Sequence, residues 1–307
     1  MSLLSKANQD RVNTWKSNID GIPEAIANEN LMKYHEIIYK WIQKKYTNIN
    51  TKKSHLSTLA VLLRDHPHYK EAYSKYSSEA TQLNLKSVEE SKKQKIAPGR
   101  DYVSWENDII KKRDELKAIY EADRTDNKKN QQYLIACLYT MQPPVRMDYK
   151  DMKIVKQRGN KQSNFIVLND ESSNAVVHIN KDKVSATHGP AKNKLSKELT
   201  DIIRQSLKDY PREYLLSLQT DPKKPIGKQG FETLMTAAFS PLKVSVDILR
   251  SSFISYMYAK KETTLNDKTE IAKLMRTSVT TSDLQYSKPS YEKQTVTCPH
   301  CHKTFMH

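Results

Sequence analysis

Two arginines and one cluster of cysteines and histidines are the side chains here whose setting points to chemistry. Arg250 lies in the segment Val244–Tyr258, where Leu249, Phe253 and Met257 recur at helical spacing with Ile254 and Tyr258 beside them. Ser245 is suited to cap it, so the spacing predicts an amphipathic helix that projects Arg250 from its first turns. Arg146 stands isolated just after Pro143-Pro144, a pair that forbids helix continuation. A guanidinium offers a rigid fork of donors that fits phosphate or carboxylate better than an ammonium does. At the C-terminus, Cys298-Pro299-His300-Cys301-His302 and His307 supply soft and imidazole ligands for tetrahedral zinc. Cys298, Cys301, His302 and His307 are the candidate set, for a structural and not a catalytic ion.

Length and composition bound the elements that must position these groups. A chain of 307 residues suits two domains and can bury substantial cores. Lys and Arg number 51 against 35 Asp and Glu, a formal net charge of +16. That excess predicts a polyanionic partner, with nucleic acid ahead of a membrane because no run of 18 apolar residues and no apolar signal-peptide core follows Met1. Three cysteines make no disulfide framework, which favours a reducing intracellular compartment. Six glycines form neither a phosphate-cradling loop nor a dinucleotide turn, and ATP-driven or dinucleotide chemistry is disfavoured.

From Leu3 to about Leu85 the pattern is helical, with Pro23, the Asn48–Thr51 cluster and Pro67 as breaks and Thr51 as the expected N-cap. The charged run Lys86–Gly99, ending in Pro98-Gly99, reads as an interdomain linker. Val103–Tyr120 and Lys128–Thr140 read as helices. The period then changes to two over Met152–Val155, Asn164–Leu168 and Ala175–Ile179, which predicts a small antiparallel sheet. Helical pattern resumes from Asn193 and continues to Tyr286. The fold class expected is mainly α with this small sheet in the second domain, divided into residues 1–95, 96–290 and a tail, 291–307.

The segment Asp247-Ile248-Leu249-Arg250-Ser251-Ser252-Phe253 resembles the second signature box of the tyrosine recombinases, the phage integrase family, His-x-x-Arg-His-Ser/Thr-Phe. Arg146 stands where that family places its first arginine, and Leu274-Met275-Arg276-Thr277-Ser278 through Tyr286 is similar to its Leu-Gly-His-Ser ending followed by tyrosine. The resemblance covers roughly residues 100 to 290. It implies a two-domain clamp on double-stranded DNA, with an integrase-like catalytic domain and a helical N-terminal domain. Thr51–Leu59, with Lys52 and Lys53, is similar to a DNA-gripping helix start of that second kind.

The implied reaction is metal- and ATP-independent: strands are cut and rejoined through a covalent 3′-phosphotyrosine. Tyr286 matches the nucleophile, with Tyr291 and Tyr258 as rivals, and Arg146 and Arg250 match the residues that grip the scissile phosphate. The general acid, a lysine on a hairpin turn of the small sheet, falls at Lys183, with Lys181 second. Two positions depart from the family pattern. Asp247 replaces a histidine and suits a helix first turn, where it would hold Arg250 or accept the tyrosine's proton. Thr277 replaces a later His or Trp, and Arg276, where glycine is usual, would supply the phosphate contact that Thr277 lacks. The resemblance further implies a tetramer on paired sites, a virus or mobile element as source, and action wherever host or viral DNA lies. A type IB topoisomerase-like relaxing enzyme and a catalytically inactive, recombinase-derived DNA-binding protein are the alternatives.

Overall fold

The computed structural model describes residues 4–94, 103–157, 159–169, 173–287, 295–297 and 304–306. The protein is mainly helical with a small four-stranded mixed sheet, and it divides into two compact units, residues 1–94 and 95–307. Among the described residues no helix is long and apolar enough to cross a membrane.

The first unit holds α1 (Lys6–Asn18), α2 (His35–Lys45), α3 (Ile49–Leu63) and α4 (Lys70–Gln94). Val12 and Trp15 of α1, Ile38 and Ile42 of α2 and Leu56, Leu59 and Leu63 of α3 are fully buried in one core. Each such aliphatic side chain contributes roughly 1.5–3 kcal/mol by leaving water. Trp15 donates its indole N–H to Nδ1 of His55 at 2.9 Å, which satisfies both buried polar atoms. The N-cap of α3 is Asn48 and not Thr51: the Asn48 side chain accepts from the Thr51 backbone N–H at 3.0 Å, and Thr51 occupies the first turn. The stretch Lys86–Gln94, expected as linker, continues α4 instead. Its Lys, Glu, Gln and Ser residues carry no breaker, and Pro98 lies beyond it.

In the second unit Ser104 caps a π-turn, Trp105–Ile110, that runs into α5 (Lys111–Ala122). Asp126 caps α6 (Asn127–Thr140), whose last eight residues are all buried. The sheet follows: β1 (Lys153–Val155), β2 (Phe165–Val167), β3 (Val176–Ile179) and β4 (Ala191–Lys194), in that spatial order. The expectation of a wholly antiparallel sheet is corrected here, because β1 pairs with β2 in parallel, Lys153 opposite Phe165 and Val155 opposite Val167. A period of two fixes which face a residue takes and is blind to strand direction. β4 is the added strand, a polar edge with two lysines that gives no apolar alternation.

The connection from β3 to β4 carries one helical turn, α7 (Ser185–His188). Then come α8 (Lys197–Asp209), α9 (Gly227–Ala238), α10 (Val246–Ala259), α11 (Leu265–Leu274) and the short α12 (Val279–Thr281), which runs into a π-turn, Ser282–Tyr286. α10 is the central helix. Seven consecutive residues, Leu249–Ser255, are buried, so its middle is enclosed on all sides and not amphipathic as its spacing predicted. Phe253 meets Trp105 edge-on at 5.0 Å. Two strands, β5 (Thr295–Thr297) and β6 (Thr304–Met306), pair antiparallel at the C-terminus.

Candidate functional site

Three chain segments converge beside α10. The first is the turn after α6, where Pro143-Pro144 ends the helix and the Tyr139 hydroxyl donates to the Arg146 carbonyl. The second is the β3–β4 connection, residues 180–190. The third is the C-terminal end of α11, residues 275–277. The first two of these, with α9, α10 and Tyr286, line a cavity of about 650 Å³ whose walls include Arg146, Lys183, Asp247, Ser251 and Tyr286 over an apolar floor with Phe231 and Met235.

Arg250 does not project from its helix. It is fully buried, and Nη1 donates to the carbonyls of Pro144 at 2.8 Å and Met275 at 2.9 Å. Its Nε and Nη2 have no hydrogen-bond partner among the described residues. A buried guanidinium left with open donors is costly unless a hydrogen-bond acceptor, such as an anion, completes it. The ring of Tyr286 lies over this guanidinium, 4.8 Å from its centroid to the Arg250 Cζ, at cation–π distance. Arg146 is half-buried and donates Nη1 to the Arg276 carbonyl at 2.7 Å.

Asp247 sits in the first turn of α10, exposed on the cavity wall, after Ser245, whose hydroxyl accepts from the Ile248 N–H at 3.3 Å. Lys183 is exposed and lines the same cavity, whereas Lys181, on the same connection, is not among its lining residues. Arg276, read from the sequence as a phosphate contact, is instead 5% exposed and closed in a bidentate ion pair with Asp182, at 2.8 and 3.1 Å. Thr277 is buried, its hydroxyl has no partner among the described residues, and it does not line the cavity. Lys52 and Lys53 lie on the first turns of α3 in the other unit; Lys53 donates to the Asn84 side chain at 3.0 Å.

Two carboxylates that the motifs did not single out belong to this site. Asp148, two residues after Arg146, is buried, and its Oδ2 has no partner among the described residues. Burial and the nearby Asp182 charge push its pKa up to about 6, against the opposing pull of Arg146 and Arg250. For Asp182 burial also favours the neutral acid, but the hydrogen bonds and charge of Arg276 outweigh it and hold the carboxyl below its usual range. The available signal for both was adjacency: each lies within two residues of a singled-out cation.

Tyr291 and the four candidate zinc ligands, Cys298, Cys301, His302 and His307, lie outside the described residues. Among the described residues no three His, Cys, Asp or Glu side chains group as a metal site would require. Compared with models of known protein families and with curated proteins, the chain matches none.

Proposed function

We propose that this protein is a tyrosine recombinase of the integrase type, cutting and rejoining strands of double-stranded DNA through a 3′-phosphotyrosyl link. One observation carries the reading: Arg146, Lys183, Asp247 and Tyr286, from four separate stretches of sequence, line one cavity, and Tyr286 lies over a buried Arg250 whose Nε and Nη2 have no partner among the described residues. Phosphodiester cleavage needs these groups together: a nucleophile, cations for charge growing on the non-bridging oxygens, and an acid for the leaving alkoxide.

In this reaction the Tyr286 oxygen attacks phosphorus while the bond from phosphorus to the 5′-oxygen breaks. The tyrosine's proton passes to Asp247, and the leaving 5′-oxygen takes a proton from Lys183. Arg146 and Arg250 hold the non-bridging oxygens. Attack by the freed 5′-hydroxyl of a partner strand reverses each transfer, so no net oxidation, metal or nucleotide energy is required. The net charge of +16 supplies general attraction to DNA, and Lys52 and Lys53 are assigned to backbone phosphates. Self-association on paired sites belongs to the same reading, as does a structural zinc at Cys298, Cys301, His302 and His307; zinc content unchanged by Cys298→Ser would remove that ion from the account.

One observation favours a second reading, a protein that binds DNA without cutting it: Thr277 supplies no donor to the cavity. Nicked, end-labelled duplexes whose cleavage releases a short fragment separate the two, because loss of the fragment blocks religation. The recombinase reading predicts a denaturation-resistant protein–DNA band that Tyr286→Phe abolishes. Bound DNA with no such band at any pH supports the second.

A further inference from the structure

Arg276 occupies a backbone position that local physics reserves for glycine. At the end of α11 the Thr277 N–H bonds to the Ala272 carbonyl at 2.9 Å and the Arg276 N–H to the Lys273 carbonyl at 3.1 Å. This is the paired closure of a Schellman motif, which needs a left-handed residue between helix and exit. Arg276 has φ +56, the one non-glycine with positive φ among the described residues. In that conformation the Cβ of a side-chain-bearing residue crowds the following carbonyl oxygen. The side chain that this left-handed position carries is buried and engaged in contacts.

Two carbonyls of this one turn are held by arginine side chains. The Met275 carbonyl accepts from Arg250 and the Arg276 carbonyl accepts from Arg146. The Arg276 guanidinium then grips both ends of the β3–β4 connection: it binds Asp182 through two donors and the Gly189 carbonyl at 2.6 Å. Asp182 also orders its own turn, its carboxylate accepting from the Val184 N–H at 3.1 Å and its carbonyl from the Ser185 hydroxyl at 3.0 Å. Lys183 is the residue between these anchored neighbours. Without the pair, an exposed lysine on an eleven-residue connection, 180–190, would sample many rotamers and loop conformers.

We infer that Arg276 and Asp182 form a positioning pair that holds the Lys183 connection against the turn carrying the Arg146 and Arg250 contacts, fixing the proton donor relative to the phosphate grip. The inference rests on the strand-cleavage reading above and adds to it a residue pair that touches no DNA. Arg276→Gly is the informative variant. It suits the left-handed backbone, so the helix end and its two carbonyls are kept while the ion pair is lost. Asp182→Asn removes the same pair from the other side and covers the case in which the glycine variant folds poorly.

The test compares single-turnover cleavage of two nicked duplexes, one with an ordinary scissile phosphate and one with sulfur in place of the bridging 5′-oxygen. A thiolate leaves without a proton, so the sulfur substrate does not need the acid. The expected result is a loss of about 100-fold on the ordinary duplex for Arg276→Gly, for Asp182→Asn and for the double variant alike, the low end of what a general acid supplies. On the sulfur substrate all three recover to within about threefold of the parent protein, because proton donation is then dispensable. Equal losses on both substrates, or no loss on either, overturn the positioning role while leaving strand cleavage intact. Absence of any adduct from the parent protein on both substrates overturns the cleavage reading, and the positioning role with it.

Discussion

The ring of Tyr286 rests on the guanidinium of Arg250, 4.8 Å from centroid to Cζ, and Nε and Nη2 of Arg250 have no hydrogen-bond partner among the described residues. Nη1, by contrast, is fully engaged with the Pro144 and Met275 carbonyls. The side chain is thus divided between a structural half and an open half. Lysine carries charge but lacks the fork, so Arg250→Lys cannot serve both halves at once. Its expected effect is a loss of at least about 100-fold in single-turnover cleavage, the scale of removing one preorganised donor. A melting temperature that also falls in this variant is consistent with the lost carbonyl contacts; cleavage at the parent rate would contradict the role assigned to Arg250.

Asp148 predicts a pH-dependent stability whose sign is opposite to that of most carboxylates. Its folded pKa, raised to about 6, lies above the ordinary 3.8, so the folded state holds the proton more tightly. The stabilisation is complete below the ordinary value and is lost as pH rises through about 6. Asp148→Asn removes this cost at neutral pH. Relative to the parent, the variant should gain on the order of 2–3 kcal/mol between pH 4 and 7. Urea unfolding at several pH values measures the difference, and a constant offset would show that Asp148 does not titrate as described.

His55 works in the other direction. Burial, with the Arg11 charge adding to it, lowers its pKa to about 4, and the neutral ring accepts from the Trp15 indole. Protonation is therefore easier in the unfolded chain, and stability is lost as pH falls from 6.5 toward 4. His55→Gln retains an acceptor and cannot titrate. Across that window the parent should lose up to about 3 kcal/mol relative to this variant. The unfolding transition of the N-terminal helical unit, followed by tryptophan fluorescence, is the readout; parallel pH profiles for the two proteins would refute the claim.

Element boundaries in the second unit were legible where the chain breaks: Pro143-Pro144 announces the end of α6 and the Ser245 cap the start of α10. Arg146 and Arg250 were legible as candidates through their resemblance to the tyrosine recombinase boxes, not through local spacing alone. What could not be read was partnership. Nothing local to Arg276 says that its charge is spent on Asp182, 94 residues earlier in the chain, and nothing in the spacing of Leu249, Phe253 and Met257 says that Arg250 is enclosed. The direction of β1 and the existence of β4 depend on the same non-local information. Asn48 took the cap expected of Thr51 for a simpler reason: two good capping residues stood three apart, and the pattern of apolar residues does not fix a helix start to better than a turn.

The basic N-terminal helix start makes a prediction about salt. If Lys52 and Lys53 each neutralise a phosphate, the double variant Lys52→Ala/Lys53→Ala should bind duplex DNA more weakly at low salt. The slope of log affinity against log salt should shrink by about 2. Fluorescence anisotropy on one duplex over a salt series measures it. An unchanged slope would assign the phosphate contacts elsewhere.

Strand cleavage as proposed joins Tyr286 covalently to DNA. The most direct measurement is to trap the protein on a nicked duplex, digest the adduct with protease and nuclease, and locate the residual nucleotide on a peptide by mass spectrometry. The expected product is a 3′-phosphorylated nucleotide on Tyr286, with a free 5′-hydroxyl on the released strand. A nucleotide on Tyr291 or Tyr258, or a 5′-phosphate linkage on any residue, would contradict it.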